Sequence, residues 1–306
     1  MIIDAHHHLW QPDRGYAWLQ EPGLERIRRP FGPADLTVEL AANDVDATVL
    51  VEGGRCHPDE AADLLAIAAA TEPIAGVVAW IDIAAPDVAG AVERYRRLDG
   101  GELLVGVRAQ VQGEADPDYL DRPDVRRGLA AVAAAGLVFD LVIRADQLPA
   151  AARAAAAVGE LSFVLDHLGK PRIDAGAAGL RAWREPFAAL AARPNVACKL
   201  SGMVTEAGPG WSAEDLAPFV AVAVQEFGPR RLMFGSDWPV CLLVADYRGV
   251  RDALAAVLPP LPAAELDQIY AGTAARTYGL AERVRPARPA PAPAPPGPHA
   301  ATPRRC

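Results

Sequence analysis

Apolar, β-branched runs recur along this chain at fairly even intervals, and the stretches between them, rich in Ala, Leu, Glu and Arg, read as helices. Strands are expected at residues 1–6, 47–52, 75–82, 103–109, 137–143, 162–166, 196–200 and 232–234. Helices are expected at 59–70, 89–98, 123–135, 145–158, 180–192, 213–227 and 247–257, with a closing helix at 262–278. Strands that alternate with helices build parallel βαβ units, and eight of them in one chain fit a (β/α)8 TIM barrel better than an open, doubly wound sheet. A dinucleotide fold would place Gly-x-Gly-x-x-Gly after the first strand. This chain has Asp4-Ala5-His6-His7-His8 there instead.

A chain of 306 residues, 51% of them hydrophobic, can enclose a barrel-sized core. Its net charge of -9 and the lack of a basic stripe argue against nucleic acid and leave a small molecule as the expected partner. Cys56, Cys198, Cys241 and Cys306 form no Cys-x-x-Cys pair, which suggests neither a zinc ribbon nor a disulfide framework. With no apolar signal core and no uninterrupted apolar run of about 18 residues, a cytoplasmic, membrane-free protein is expected. From Ala281 onward the composition becomes almost entirely Pro and Ala. The expected division is therefore a barrel over 1–281 and a disordered, partly polyproline II tail over 282–306. Oligomeric state is left open.

Barrel enzymes keep their chemistry at the C-terminal ends of the strands. Side chains alternate along a strand, so His6 and His8 point one way and His7 the other. Three of the six histidines thus stand in one tripeptide at the end of an apolar strand, which packing does not explain. The remaining runs end in Glu52, Asp82, Arg108, the stretch from Asp140 to Arg144, His167, Lys199 with Ser201, and Asp237. His167 follows a strand whose apolar residues already supply the packing. Asp237 lies in Gly235-Ser-Asp-Trp-Pro239, where it can serve as a carboxylate base or as a helix N-cap.

Two histidines on strand one, one after strand six and an aspartate after strand eight resemble the amidohydrolase superfamily. The segments Ile3-Asp-Ala-His-His-His-Leu-Trp10, Asp166-His-Leu-Gly-Lys-Pro171, Cys198-Lys-Leu-Ser-Gly202, Phe234-Gly-Ser-Asp-Trp-Pro-Val240 and Gly272-Thr-Ala-Ala-Arg276 are similar to its sugar-lactonase branch. Arg29-Pro-Phe-Gly-Pro-Ala-Asp-Leu36, Gly106-Val-Arg108 and Val204-Thr-Glu-Ala-Gly208 extend the likeness over residues 1–280. The resemblance implies hydrolysis of an aldonolactone such as L-fuconolactone to its hydroxy acid. By the same resemblance, Asp237 is the general base for the attacking water, while His6, His8 and His167 surround the carbonyl and Arg108 binds a substrate oxygen. His6, His8, His167 and Asp237 can also hold one Zn²⁺ or Mn²⁺, a metal that the resemblance does not make obligatory.

Lys199 and Ser201 are expected to touch substrate hydroxyls, with pairing to Glu52 or Asp82 as the alternative for Lys199. Trp10 and Trp238 are expected to wall the pocket against a sugar ring, with ordinary loop packing as the alternative. Glu52 and Ala109 depart from the branch's usual pattern at the pocket, as does His7 on the outward face. A Ser-His-Asp triad using Ser201 or Ser236 lacks the Gly-x-Ser-x-Gly elbow. Two rival readings remain: a metal-dependent decarboxylase or hydrolase of another carboxylated substrate on the same barrel, and a non-catalytic binding protein.

Overall fold

The computed structural model describes residues 1–284. Eight parallel strands run in sequence order around one sheet. They are β1 (Ile3–His7), β2 (Ala47–Val51), β3 (Ile74–Trp80), β4 (Leu104–Ala109), β5 (Val138–Leu141), β6 (Phe163–Leu165), β7 (Val196–Leu200) and β8 (Leu232–Phe234). The circle closes just past β8, where the amide of Asp237 donates to the His6 carbonyl at 2.8 Å and that of His8 to the Trp238 carbonyl at 2.7 Å. Asp4 locks this seam from within, accepting from the Ser236 amide and hydroxyl and from the Tyr247 hydroxyl. The fold is the expected (β/α)8 barrel.

Each crossover carries helix. In order these are α1 (Pro33–Ala42), α2 (Pro58–Ala69), α3 (Val88–Arg96), α4 (Pro123–Ala134), α5 (Leu148–Ala157), α6 (Gly176–Ala191), α7 (Met203–Ala207), α8 (Ala213–Phe227) and α9 (Tyr247–Val257). After β8 come α9 and then α10 (Ala263–Asp267), one π-helical turn and α11 (Thr273–Thr277), which divide the closing helix expected over 262–278. α1 and α7 were not among the expected helices. α1 has its start signal in sequence, with Pro33 in the first turn and Asp35 accepting from the Gly32 amide at 3.0 Å, but it buries only Leu36 and Leu40.

Two apolar cores result. One lies between the strands and the surrounding helices. The other gathers residues from all eight strands, among them Val49, Val105, Val138, Val164 and Met233, which can meet only inside the barrel. Tyr278, Leu280 and Val284 join this inner core and fill its N-terminal end. The Pro/Ala-rich segment expected as a tail lies, from residue 285, outside the described residues. Cys56, Cys198 and Cys241 are free thiols. Among the described residues no helix is long and apolar enough to cross a membrane.

Candidate active site

Four side chains converge at the C-terminal end of the barrel. Asp237 Oδ1 lies 3.4 Å from His8 Nε2, 3.7 Å from His6 Nε2 and 3.8 Å from His167 Nε2, and the Nε2 atoms of His6 and His8 are 3.2 Å apart. β1 delivers His6 and His8, while turns just beyond β6 and β8 deliver His167 and Asp237. Those turns are strained. His167, Leu168, Gly169 and Lys170 form an unbroken left-handed run with φ from 52° to 71°, and Asp237 has φ 56°. Such a conformation costs an ordinary L-residue about 1–2 kcal/mol. The run is held by the Lys170 amide donating to the His167 carbonyl at 2.9 Å and by the Trp183 indole donating to the Leu168 carbonyl at 2.8 Å. It turns both His167 and Lys170 toward one cavity.

Each ring is oriented from behind. His8 Nδ1 meets the Val51 carbonyl at 2.9 Å, so it carries the hydrogen and leaves a lone pair on Nε2. His167 Nδ1 meets the Ser201 hydroxyl at 2.9 Å. Close packing at Gly202 fixes the same ring, since a Cβ there would stand 2.6 Å from His167 Nδ1. His7 turns to the other face, where its Nε2 meets the Thr48 hydroxyl at 2.9 Å, and burial drops its pKa to about 3.

Beneath the histidines lies a network of charges. Arg108 donates from Nε to Glu52 Oε1 at 2.6 Å, from Nη2 to the Glu52 carbonyl at 2.6 Å and from Nη1 to Asp166 Oδ2 at 2.9 Å. Lys199 Nζ donates to Asp140 Oδ2 at 2.6 Å and lies 2.9 Å from Asp166 Oδ1. Tyr278, reaching up from the closed end, donates to Asp140 at 2.9 Å.

Burial works against every charge here, and the neighbours decide the outcome. Asp166 is desolvated, but Lys199, His6 and Arg108 more than offset this and hold it well below the usual carboxylate range. Burial likewise pushes Asp237 up, and His167, His8 and Lys170 bring it below its ordinary value. Asp140 stays raised, at about 6, because burial outweighs Lys199. Burial lowers His167 to about 4 and takes His6 well below its ordinary value. At neutral pH both rings are neutral and Asp237 is a carboxylate.

The residues fit a divalent cation in donor type and in charge. Each of three imidazole Nε2 atoms lies within 3.8 Å of one carboxylate oxygen, Asp237 Oδ1. The surrounding carboxylates Glu52, Asp140, Asp166 and Asp237 outnumber the cations Arg108 and Lys199 by two. His6, His8 and Asp237 form one group of metal-ligating type, and His6, Asp166 and His167 a second.

His8, Arg108, His167 and Asp237 line a cavity of about 440 Å³. Its walls include Trp18, Gln110, Gln112 and Lys170, none of which the sequence analysis assigned to the site. Gln110 and Lys170 stand at the ends of expected strands, so position alone marks them. Trp18 lies on the loop after β1, where the sequence offers no such cue. Its indole donates to the Gly53 carbonyl at 2.8 Å and packs edge-on against Trp10.

Five expected substrate contacts do not line the cavity. Lys199, Ser201 and Glu52 have no exposed surface. Lys199 pairs with Asp140 and Asp166, not with Glu52 or Asp82, and Glu52 is occupied by Arg108, Gln110 and the Gly54 amide. Ser201 meets His167 from behind, which removes it as a nucleophile. Trp10 lines a separate, mostly apolar cavity with Tyr16 and Phe31, and reaches the site only by stacking on His8. Trp238 is buried edge-on against Phe31. Both tryptophans therefore take the packing role.

A model of the amidohydrolase family matches residues 3–280. An L-fucono-1,5-lactonase from Burkholderia multivorans is 39% identical over 291 residues, an alignment that covers 92% of this chain and 96% of that protein. A crystal structure of an amidohydrolase from Burkholderia multivorans with bound zinc superposes with a TM-score of 0.84 at 38% identity, covering 91% of this chain and 99% of the other. The 5-carboxyvanillate decarboxylase of Sphingomonas paucimobilis shares the fold, with a TM-score of 0.63 at 16% identity over 91% of this chain and 98% of its own.

Proposed function

The chain belongs to the amidohydrolase family, and we propose that it hydrolyses a sugar lactone, with L-fucono-1,5-lactone as the first candidate, to the open aldonic acid. The observation that carries this reading is the meeting of Asp237 Oδ1 with three imidazole Nε2 atoms, where Asp237, His8 and His167 line a cavity large enough for a small molecule and His6 lies buried behind them. The 39% identity to an L-fucono-1,5-lactonase, over nearly the full length of both chains, supports the choice of substrate class.

Hydrolysis of a lactone needs a base for water, charge stabilisation at the carbonyl oxygen and a proton for the departing ring oxygen. Asp237, ionised at neutral pH, accepts the proton as water adds to the carbonyl carbon. The same carboxyl then returns that proton to the ring oxygen as the C–O bond breaks. Arg108, which lines the cavity 3.5 Å from His6 Nε2, faces the developing negative oxygen from a buried, pre-formed position, with the His167 imidazole beside it, while the Nε2 lone pair of His8 suits a proton or a cation. A divalent cation on His6, His8, His167 and Asp237 would add Lewis-acid polarisation of the carbonyl. Lys170, Gln110, Gln112 and Trp18 would meet the hydroxyls and the apolar face of the sugar ring.

The test is acid release from a panel of purified 1,4- and 1,5-aldonolactones, followed against spontaneous hydrolysis. Saturable turnover with a preference among the 1,5-lactones supports the proposal. Decarboxylation of an aromatic acid with no lactone turnover would replace it with the rival reading, whose present support is a shared fold.

A further inference from the structure

Asp82 is a strand-end carboxylate that the catalytic site leaves unused. It stands just beyond β3 and lines a second cavity of about 320 Å³, together with Trp80, Glu114 and Tyr119. This cavity lies on the same C-terminal face of the barrel as the catalytic one, because its walls come from the ends of β3 and β4 and the loops that follow β2, β3 and β4. Cys56 and Gln110 line both cavities, so the two adjoin. Gln110 is a fixed divider: its amide donates to Glu52 Oε1 at 2.5 Å and accepts from Gln112 Nε2 at 2.9 Å.

Trp80 indicates what the second cavity takes. Of the six tryptophans it is the one that joins neither apolar core, and it stays part-exposed at the end of β3. Every other tryptophan packs in or against the core between strands and helices. An indole left out of that packing and lining a cavity presents a flat apolar face to a ligand. Around it the lining carries the carboxylates Asp82 and Glu114 and no cation, and Arg122, which lies against the Tyr119 ring, is paired with Asp124. Carboxylates accept hydrogen bonds and repel anions. The lining therefore suits an uncharged ring with hydroxyl donors at its edge and C–H groups on its face, which is a sugar. Its 320 Å³ lies within the usual range of small-molecule sites and adds to the 440 Å³ beside Asp237.

We propose that this cavity is a second sugar subsite, and that the preferred substrate is a 1,5-lactone bearing a second, uncharged sugar ring, with the lactone at Asp237 and the second ring on Trp80. The identity of the first ring rests on the lactonase reading. In the reaction water adds to the lactone carbonyl and the ring C–O bond breaks, while the bond joining the two sugars stays intact. Contacts to the second ring, remote from the reacting carbon, supply binding energy that a single-ring lactone lacks and so raise kcat/KM.

The experiment compares L-fucono-1,5-lactone with its monoglucosyl derivatives on O2, O3 and O4 as substrates of the full chain. At least one derivative is expected to exceed the parent in kcat/KM by about tenfold, the amount one aromatic contact supplies. Trp80→Ala is expected to lower kcat/KM for that derivative about tenfold more than for the parent. The proposal is overturned if no derivative exceeds the parent, or if Trp80→Ala lowers both equally. Should the variant fail to fold, the wild-type comparison still decides. Absence of turnover with every lactone is instead a failure of the lactonase reading, and calorimetric binding of the open acids then reads the second subsite. A glucosylated acid that binds about tenfold tighter than its parent supports the subsite, and one that binds no tighter overturns it.

Discussion

Gly202 offers a way to displace His167 without altering any polar group of the site. It follows β7 with φ +65°, and a Cβ placed there would lie 2.6 Å from His167 Nδ1, 2.7 Å from Cγ and 3.0 Å from Cβ. Ordinary van der Waals contact begins at 3.4 Å. In Gly202→Ala the ring must therefore retreat by about 0.8 Å, and misplacement on the 1 Å scale costs on the order of 100-fold in rate. The imidazole cannot rotate away freely, since Ser201 holds Nδ1 and the left-handed turn fixes its backbone. The left-handed backbone adds about 1–2 kcal/mol of destabilisation, leaving the barrel folded. Steady-state hydrolysis of L-fucono-1,5-lactone, alongside urea unfolding, separates the two effects. A folded variant with kcat/KM within threefold of wild type would refute the placement of His167 at the reacting centre.

The acid limb of kcat/KM should lie at or below about pH 4, because burial lowers His167 to about 4 and Asp237 keeps a pKa below its ordinary value. As pH falls through these values the base is lost and the histidines gain charge; half-maximal activity near pH 6.5 would contradict this. Glu60 gives a stability prediction. Burial, together with the charge of Glu52, raises its carboxyl to about 8, so between its ordinary value and about 8 the folded chain keeps a proton that the unfolded chain has lost. Stability from this group is lost as pH rises through that window, at up to about 1.4 kcal/mol per pH unit. Glu60→Gln should therefore stabilise the protein more at pH 8 than at pH 5 in urea unfolding; an equal effect at both would count against a proton held there.

The barrel was legible because each strand is a short apolar run buried on both faces, the pattern a parallel sheet imposes. Helices were legible where they bury a full stripe, as in α8, and illegible where they do not, as in α1 with two buried residues. The converging groups were readable for a related reason: His167 and Asp237 stand just beyond the ends of β6 and β8, where apolar packing has stopped. Depth was not readable. Lys199 lies within β7, so it sits below the floor, and it meets Asp140 of β5 and Asp166 just beyond β6 at a depth that the ends of the runs do not reveal. Sequence likewise marks Trp10 as an aromatic beside the histidines, but its stacking behind His8 depends on how the loop after β1 folds back.

Asp237 Oδ1 lies within 3.8 Å of the Nε2 atoms of all three histidines, and the account stands or falls with it. The decisive measurement is acid release from L-fucono-1,5-lactone by wild type and by Asp237→Asn, corrected for spontaneous hydrolysis. The account predicts a loss in kcat of about 10²- to 10⁴-fold, the usual contribution of a general base, in a variant that retains its fold. Turnover by Asp237→Asn within a few-fold of wild type would contradict it.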